Sequence, residues 1–293
     1  MVVDQCSQSK DIRRSEDLGI TLIQKIFSNT YYHGGMSRLE RITRNAVASN
    51  PPKSMLSPDD PLTAALSDFR LDPAQSYSDQ VHSLLLRAIV RGTLPPRTAL
   101  SEATISKLIN VSRTPVREAL AQLADEQLVL IYRQVGTLVA PISVQLLEEG
   151  RFVRSTLEGA NHAELARTIT PTQLAELNLI VQQQREAVAG GQIDRFSELD
   201  ELMHRRLFEF AGRGHVWVML EPIKRQFDRV RWLLLGHVAG HSDRALREHE
   251  QILAQFAAHD AKGLRASVSS HVNHITDHMQ ALRQQAPASY FAD

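Results

Sequence analysis

The chain has 293 residues, of which 43% are hydrophobic, and this length predicts about two domains with a substantial core. Basic and acidic residues number 33 each, so no overall charge draws the chain to nucleic acid or to a membrane, and any such partner must meet a local patch. The single Cys6 excludes an internal disulfide, the apolar runs are too short to cross a bilayer, and no signal peptide pattern opens the chain, so we expect a soluble cytoplasmic protein.

Residues 1–75 are predicted to form a loosely ordered N-terminal extension. They show no sustained hydrophobic period, and near their end lies the run "NPPKSMLSPDDP", which is rich in turn and breaker residues. Their nine basic and nine acidic residues favour neither a basic nucleic-acid arm nor an acidic tail. An alternative stays open at this point, in which Met36 or Met55 is the physiological start.

Residues 76–141 are predicted to form a winged helix-turn-helix domain, which opens with an amphipathic helix. Apolar side chains recur at helical spacing from Val81 to Ile89. Ser78 stands where it can cap the first turn, and Gly92 followed by "LPP" ends the helix.

Two shorter helices and a hairpin complete this domain. The run "SEATISKLI" predicts a second helix capped by Ser101, and after the turn "NVS" a third helix opens at Thr114 with Pro115 at its first position. The segments "LVLIY" and "TLVA" flank a glycine turn and predict two short strands. Two short helices joined by a tight turn and followed by a hairpin are the layout of a winged helix-turn-helix.

The start of the third helix carries two cations in an unusual position. Arg113 and Arg117 lie four residues apart on the exposed first turn, where the helix dipole repels positive charge, so they need an outside partner. Arginine pairs bidentately with guanine, and Ser112, Thr114 and the free amides of that turn can hold phosphate. The alternative is a solvated helix end with Glu118 as the counter-ion.

The net charge of residues 78–140 is seven basic minus five acidic, or plus two, so tight non-specific binding to DNA is not expected. Specificity would come from geometry and from a homodimer on a pseudo-palindromic operator. Arg133 is a candidate phosphate contact, and Gly136 at the wing tip is either a DNA contact or simply a turn glycine.

The stretch "VSRTPVREALAQLADEQLV" resembles the signature of the GntR family of bacterial transcription regulators, and "IVRGTLPPRTALSEATISKLI" resembles the segment before it. The resemblance covers residues 78 to 140. It implies that Arg113, Thr114 and Arg117 contact DNA and that Gly136 and its neighbours enter the minor groove. Arg97 and Gln127 stand where the family usually has glycine, and "TISKLI" is an atypical second helix, so the turn geometry and the target sequence are less well specified.

Residues 142–287 are predicted to form an antiparallel all-α bundle, followed by a C-terminal tail at residues 288–293. Breaks in the helical pattern occur near residues 170–171, 190–191, 212–214, 236–240 and 260–263, which gives about six helices. The fold class is therefore mainly α, with an N-terminal winged helix-turn-helix, a small β-wing and a C-terminal bundle.

Histidines and one aspartate in the bundle are spaced as metal ligands. Asp200 and His204 share one helical face, His249 lies on a later helix, and the last long helix offers His271 or His274. Imidazoles with one carboxylate suit a divalent zinc, nickel or manganese ion. Each of the twelve histidines is individually more often a surface or hydrogen-bonded residue, and that assignment is given to His215, His237, His241 and His278.

This region resembles the FCD ligand-binding domain of the FadR-like branch of the family. The resemblance implies a metal site in which His249, Asp260 and His271 follow the family spacing of eleven residues, and it selects His271 over His274. Arg154 in "RSTLE" matches a family arginine that faces the pocket, where it would grip an effector carboxylate. The alternative for this residue is a helix-surface cation. Six helices rather than seven would favour the smaller, VanR-like subgroup.

We therefore expect a ligand-responsive regulator that binds operator DNA as a dimer, with a metal ion and a small carboxylate in its bundle and no membrane partner. The competing hypothesis is a metal-dependent hydrolase with an accessory winged helix, because an open site of three histidines and one aspartate resembles a catalytic centre. The candidate bases Glu201, Glu248 and Glu250 fit better as residues that orient the ligands.

Overall fold

The computed structural model describes residues 60–66, 69–132, 136–237 and 240–292. These residues form a winged helix-turn-helix followed by a helical bundle, so the predicted mainly α fold class is confirmed. The predictions for the segment before residue 60, including the alternative starts at Met36 and Met55, lie outside the described residues, as does Arg133. None of the described helices combines the length and the hydropathy that crossing a membrane would need.

A short helix precedes the helix-turn-helix and belongs to its core. Helix α1 (Pro61–Leu66) buries Leu62 and Leu66, which lie four residues apart and therefore face the same side. Residues 61–66 form a helix, whereas a loosely ordered extension was expected up to residue 75. A helix of six residues with two leucines is too short to give a recognisable period in the sequence, yet it suffices to pack on a neighbouring helix.

Helix α2 (Tyr77–Val90) is the long first helix of the winged helix-turn-helix. Ser76, rather than Ser78, caps it, because the Ser76 side chain accepts the Asp79 amide. The Gln80 side chain accepts from the backbone amide of Asp72 at 2.8 Å and donates to its carbonyl at 2.9 Å, which fixes the preceding turn and places the boundary at Ser76.

Helix α3 (Glu102–Leu108) begins as expected, since the Ser101 hydroxyl accepts the Thr104 amide. Helix α4 (Arg113–Asp125) begins two residues earlier than predicted, with Ser112 rather than Thr114 in the capping position and no side-chain cap. The prediction that Thr114 caps this helix is therefore wrong. The proline at position 115 is tolerated as the third helical residue because the first four amides of a helix have no partner within it.

The wing is a three-stranded antiparallel sheet in the order β1 (Ala99–Leu100), β3 (Gly136–Val139), β2 (Val129–Tyr132). Arg97 and Gln127 adopt left-handed backbone angles, with φ of 74° and 59°, at the two positions where the family resemblance expects glycine. The backbone conformation that favours glycine is thus kept without glycine, at a steric cost to each residue.

The second part begins with strand β4 (Ile142–Ser143) and consists mainly of helices. Among the described residues the bundle has six long helices and a short seventh one, where about six were expected, so the helix count gives no support to the smaller VanR-like subgroup. The helices are α5 (Val144–Leu165), α6 (Pro171–Ala189), α7 (Ile193–Phe210), α8 (Gly214–His237), α9 (His241–Ala257), α10 (Ala261–Asp277) and α11 (Met279–Gln285).

The bundle core is formed by apolar stripes that the helices turn toward each other, with α5 packed closely on α10. The residues expected to form a C-terminal tail extend this packing. A 3-10 turn (Ala288–Tyr290) leads into strand β5 (Phe291–Ala292), which pairs in parallel with β4 and buries Phe291. Helix α8 lies against both α2 and β4 and thereby connects the two parts of the molecule.

Candidate nucleic-acid interface and metal centre

The N-terminal turn of α4 presents the predicted DNA contacts to solvent. Ser112, Arg113, Thr114 and Arg117 are all exposed. Arg113 has no ion-pair or hydrogen-bond partner within the part of the chain that the structure describes. A free guanidinium at a helix N-terminus is available to an anionic partner.

Arg117 differs from the expectation, since it has a partner within the protein. Its Nη2 atom donates to Glu102 Oε2 at 3.0 Å, and its Nε atom donates to Glu102 Oε1 at 3.2 Å. The counter-ion is thus Glu102 on α3 and not Glu118, the alternative considered from the sequence. A fork-shaped pair of this kind fixes the guanidinium in direction as well as position.

Gly136 lies at the exposed tip of the wing and begins β3. Its φ of 130° belongs to a backbone region that side chains rarely adopt, and a β-carbon would meet no atom within 4 Å. The glycine is thus required by the turn itself. Its exposure leaves the backbone accessible to a groove as well.

The four predicted metal ligands converge inside the bundle. Asp200 and His204 come from one face of α7, His249 from α9 and His271 from α10, and all four are buried. One ligand atom from each residue lies within 4.8 Å of the others. The structure also separates the two histidines of "SSHVNH", because His274 is not part of this group.

Two of these imidazoles are oriented by acceptors on neighbouring helices. His249 Nδ1 lies 2.8 Å from Gln184 Oε1, and His271 Nδ1 lies 2.9 Å from Glu248 Oε2. Each acceptor holds the proton on Nδ1 and leaves the Nε2 lone pair free. His249 Nε2 has no hydrogen-bond partner among the described residues and lies 3.4 Å from Asp200 Oδ1. Imidazoles held in this way are typical of metal ligands.

The third imidazole is linked to the predicted effector residue. His204 Nδ1 lies 3.3 Å from Glu158 Oε2, and the other Glu158 oxygen accepts from Arg154 Nε at 2.6 Å. Burial opposes ionisation of Glu158, but Arg154 and His204 outweigh it and hold the pKa of this carboxyl well below its usual range. Arg154 is itself only 3% exposed, so the alternative of a helix-surface cation does not describe it.

Arg231 on α8 is part of the site, although no sequence pattern predicted it. Its guanidinium binds Asp200 Oδ2, and its Nη2 atom donates to Asp228 at 2.6 Å. Burial opposes ionisation of Asp200, but Arg231 and the surrounding imidazoles outweigh it and hold the pKa of this carboxyl well below its usual range. Asp200 is thus a carboxylate at neutral pH.

The metal-ligand chemistry of the group fits a divalent ion. Burial, with help from the charge of neighbouring imidazoles, lowers the pKa of both His249 and His271, so these rings are neutral and can donate a lone pair. Three imidazole rings and one carboxylate, with ring nitrogens of His204 and His249 that lack hydrogen-bond partners among the described residues, suit zinc, nickel or manganese.

A small cavity adjoins the group, and charged and imidazole side chains dominate its wall. Its volume is about 20 Å³, which holds about one water molecule or ion. A multi-atom acid would therefore enter only after side chains of the wall move. The polar residues of the wall are Arg154, Asp200, Arg231, His241, His271 and His274.

The three carboxylates that a hydrolase could use as a base have other partners. Glu201 binds Lys224 Nζ at 2.6 Å, and Glu250 accepts from Arg185 at 2.7 Å. Glu248 accepts from His271 and from His274. Of the three, only Glu248 contacts a predicted ligand, His271, whereas Glu201 and Glu250 pair with a lysine and an arginine instead.

Helix α8 connects the metal-ligand group with the recognition helix. Arg225 Nη1 forms an ion pair of 2.6 Å with Glu126, the residue that directly follows α4, and His82 on α2 lies 3.0 Å from the same carboxylate. One turn further along α8, the buried Arg229 donates to the Ala140 carbonyl at 2.6 Å. Asp200 is thus joined through a single helix to the C-terminal end of α4.

Two family models match the chain: bacterial regulatory proteins of the gntR family over residues 77–139, and the FCD domain over residues 149–274. The HTH-type transcriptional repressor RspR of Escherichia coli strain K12 is 34% identical over 218 residues, which cover 74% of this chain and 95% of RspR. An uncharacterized HTH-type transcriptional regulator of Streptomyces ambofaciens is 27% identical over 215 residues, or 73% of this chain and 89% of that protein. Among solved structures, E. coli McbR/YncC resembles the fold with a TM-score of 0.60 and 21% identity, over 72% of this chain and 99% of that chain.

Proposed function

We propose, for a chain that belongs to the GntR family of bacterial regulatory proteins and carries an FCD domain, that a small carboxylate bound in the bundle controls its affinity for operator DNA. Membership of this family makes the chain a DNA-binding transcriptional regulator and not an enzyme, so the hydrolase hypothesis is wrong. The metal ion, the effector class and the route between them are the proposed parts.

The observation that carries the proposal is the convergence of Asp200, His204, His249 and His271 on one buried point. These residues would hold a divalent zinc, nickel or manganese ion. Such an ion, when bound, would offer its remaining coordination positions to a carboxylate oxygen.

Two buried guanidinium groups favour an acidic effector. Arg154 and Arg231 both line the cavity beside the four ligands. Arginine binds a carboxylate through two parallel hydrogen bonds, which gives direction as well as charge. Because the cavity holds only about one water molecule, the acid would enter by drawing Arg231 away from Asp200 and Asp228.

Movement of Arg231 gives the effector a path to DNA. Arg231 lies on the helix whose Arg225 binds Glu126 at the end of the recognition helix. An acid that prefers one position of α8 therefore also prefers one position of the winged helix, and it shifts the population toward that arrangement. Whether the favoured arrangement binds or releases DNA follows from the operator spacing.

On the DNA side, we propose that a homodimer binds a pseudo-palindromic operator. Arg113 and Arg117 would read base edges, Ser112, Thr114 and Arg133 would hold phosphate, and the wing would enter the minor groove at Gly136. A protein with this role acts where the bacterial chromosome is, in the cytoplasm.

The test combines operator binding with two sets of substitutions in the full chain. A panel of small carboxylates is added to the zinc-loaded protein, and operator affinity is followed by fluorescence anisotropy. We expect the double variant His204→Gln/His249→Gln to lose the response to the acid while it still binds the operator. Arg113→Ala/Arg117→Ala should lose selective operator binding with or without the acid.

His215→Gln serves as the matched control, because this histidine is exposed and lies outside the site. It should keep both properties. An acid response that persists unchanged in the double histidine variant would refute the proposed effector site.

A further inference from the structure

A second group of histidines lies beside the four ligands, and the proposed function does not use it. His241 is the first residue of α9, His274 lies in the last turn of α10, and His278 follows four residues later. The spacing of four puts His274 and His278 on the same side of the chain. One nitrogen from each of the three rings lies within 4.8 Å of the others.

We infer that His241, His274 and His278 form a second cation site, for a divalent ion that prefers imidazole nitrogen, such as zinc, nickel or copper(II). The group offers three nitrogen ligands and no carboxylate. This donor set disfavours manganese, magnesium and calcium, which prefer oxygen. The inference does not depend on a metal ion or an effector at the first group.

Unpartnered ring nitrogens are the main support. His241 Nδ1 and His274 Nε2 are buried and have no hydrogen-bond partner in the described part of the chain. The two residues are 5% and 1% exposed. A buried polar atom without a partner destabilises the folded state, and a bound ion would remove that cost at both atoms.

His274 is also oriented as a ligand would be. Its Nδ1 lies 3.2 Å from Glu248 Oε2, so the proton is held on Nδ1 and the buried Nε2 is left free to bind an ion. The same Glu248 oxygen accepts from His271 of the first group at 2.9 Å. One carboxylate thus orients a ring in each group, which is the arrangement typical of the residues behind metal ligands.

The rings pack closely enough to act together. The ring centroid of His274 lies 4.8 Å from that of His241 and 4.8 Å from that of His278. Burial, with the charges of the two other rings, lowers the pKa of His241 to about 3, so this ring is a neutral donor at physiological pH.

The surrounding charges predict which group fills first. Glu248 and Asp277 lower the cost of a cation at the second group, whereas Arg244 and Arg231 raise it. Arg244 pairs with Glu248 at 3.0 Å and is 40% exposed, so its side chain can turn to solvent when an ion binds. Because the first group includes Asp200 as a direct ligand, it should bind a divalent ion more tightly than the second.

The test is the stoichiometry of zinc and of nickel bound to the full chain, measured by equilibrium dialysis and elemental analysis after treatment with a chelator. We expect two equivalents per chain for the wild type and one equivalent each for His241→Gln, His278→Gln and His204→Gln. The double variant His204→Gln/His278→Gln should bind none. His215→Gln, the exposed control, should bind two.

The outcomes separate this inference from the proposed function. One equivalent in the wild type that is lost in His204→Gln but kept in His241→Gln and His278→Gln would overturn the second site. Two equivalents that persist in both His241→Gln and His278→Gln would also overturn the second site. One equivalent in the wild type that is lost only in His241→Gln and His278→Gln would support the second site. The same result would refute metal binding by the first group.

Two further readouts guard against variants that merely misfold. Far-UV circular dichroism establishes that each glutamine variant keeps its helical content. Electron paramagnetic resonance of copper(II) added to His204→Gln should show hyperfine coupling to imidazole nitrogen, and this coupling should disappear in the double variant. Persistent coupling in the double variant would refute the assignment of these histidines.

Discussion

The pairing of Arg231 with Asp200 predicts how the free energy of unfolding responds when the cation is removed. Substitution Arg231→Met keeps an unbranched apolar side chain but deletes the guanidinium. Asp200 and Arg231 have side chains that are 3% and 13% exposed. In the metal-free protein the substitution therefore leaves a buried carboxylate with no guanidinium beside it, and breaking one side of a buried ion pair costs about 3–5 kcal/mol.

The metal ion and the pH should both modulate this loss. A divalent ion bound to Asp200 replaces the missing positive charge, so zinc should stabilise Arg231→Met more than it stabilises the wild type. In the wild type, Asp200 has a lowered folded-state pKa and contributes stability above the unfolded-state value of about 4, which is lost as the pH falls. In the variant, loss of the Arg231 cation raises the folded-state pKa of Asp200 above its wild-type value, so the loss of stability at low pH should be smaller than in the wild type.

The assay is guanidinium unfolding followed by circular dichroism, in chelator and then in zinc. The matched control is Arg185→Met, which breaks the Arg185–Glu250 pair between side chains that are 59% and 37% exposed. An exposed pair is worth about 0–1 kcal/mol. A loss in Arg231→Met no larger than in this control, or a loss that Asp200→Asn does not partly restore, would refute the reasoning.

Three other predictions concern the turn, the DNA surface and a buried ring. Gln127→Gly should raise the free energy of unfolding, measured by chemical denaturation, by about 0.5–1 kcal/mol, because it removes the steric strain of a side chain at a left-handed backbone position. Gln127→Ala keeps the β-carbon and should bring no such gain. Arg113→Ala should weaken selective operator binding by about 1–3 kcal/mol in anisotropy titrations. The control is Arg167→Ala, which removes an exposed arginine of the bundle and should leave operator binding unchanged. Burial lowers the pKa of His162 to about 4, below the unfolded value of about 6.5. Between these two pH values the unfolded chain binds more protons than the folded chain, so the free energy of unfolding decreases as the pH falls from about 6.5 to about 4. His162→Leu should remove this contribution of up to about 3 kcal/mol from the pH profile of unfolding, and an unchanged profile would contradict the assignment.

Much of the fold follows from local patterns in the sequence. The winged helix could be predicted because caps, helical periodicity and the "SRTPVREAL" run all act within a few residues of each other. The pairing of Asp200 with His204 follows from helical geometry for the same reason. Even here the boundaries shifted, since Ser76 rather than Ser78 begins α2, owing to contacts between Gln80 and a preceding turn.

The candidate site was predicted only in part. Spacing by itself could not distinguish His271 from His274 as the ligand. His241 and His278 were expected to be surface or hydrogen-bonded histidines, although the structure brings them together with His274. Arg231 gave no signal, because an arginine in an amphipathic helix is usually a surface residue.

What the sequence determined by itself is the set of elements and the chemistry that each carries: a helix-turn-helix with exposed arginines, and a helical bundle rich in histidine. What only the tertiary structure decided is which side chains from different helices meet. Gln184 orients His249, Glu248 is shared between two groups of histidines, and Arg225 reaches Glu126. Local rules extend over about one helical turn, whereas these contacts join residues far apart in the chain and arise only when the helices pack around one core.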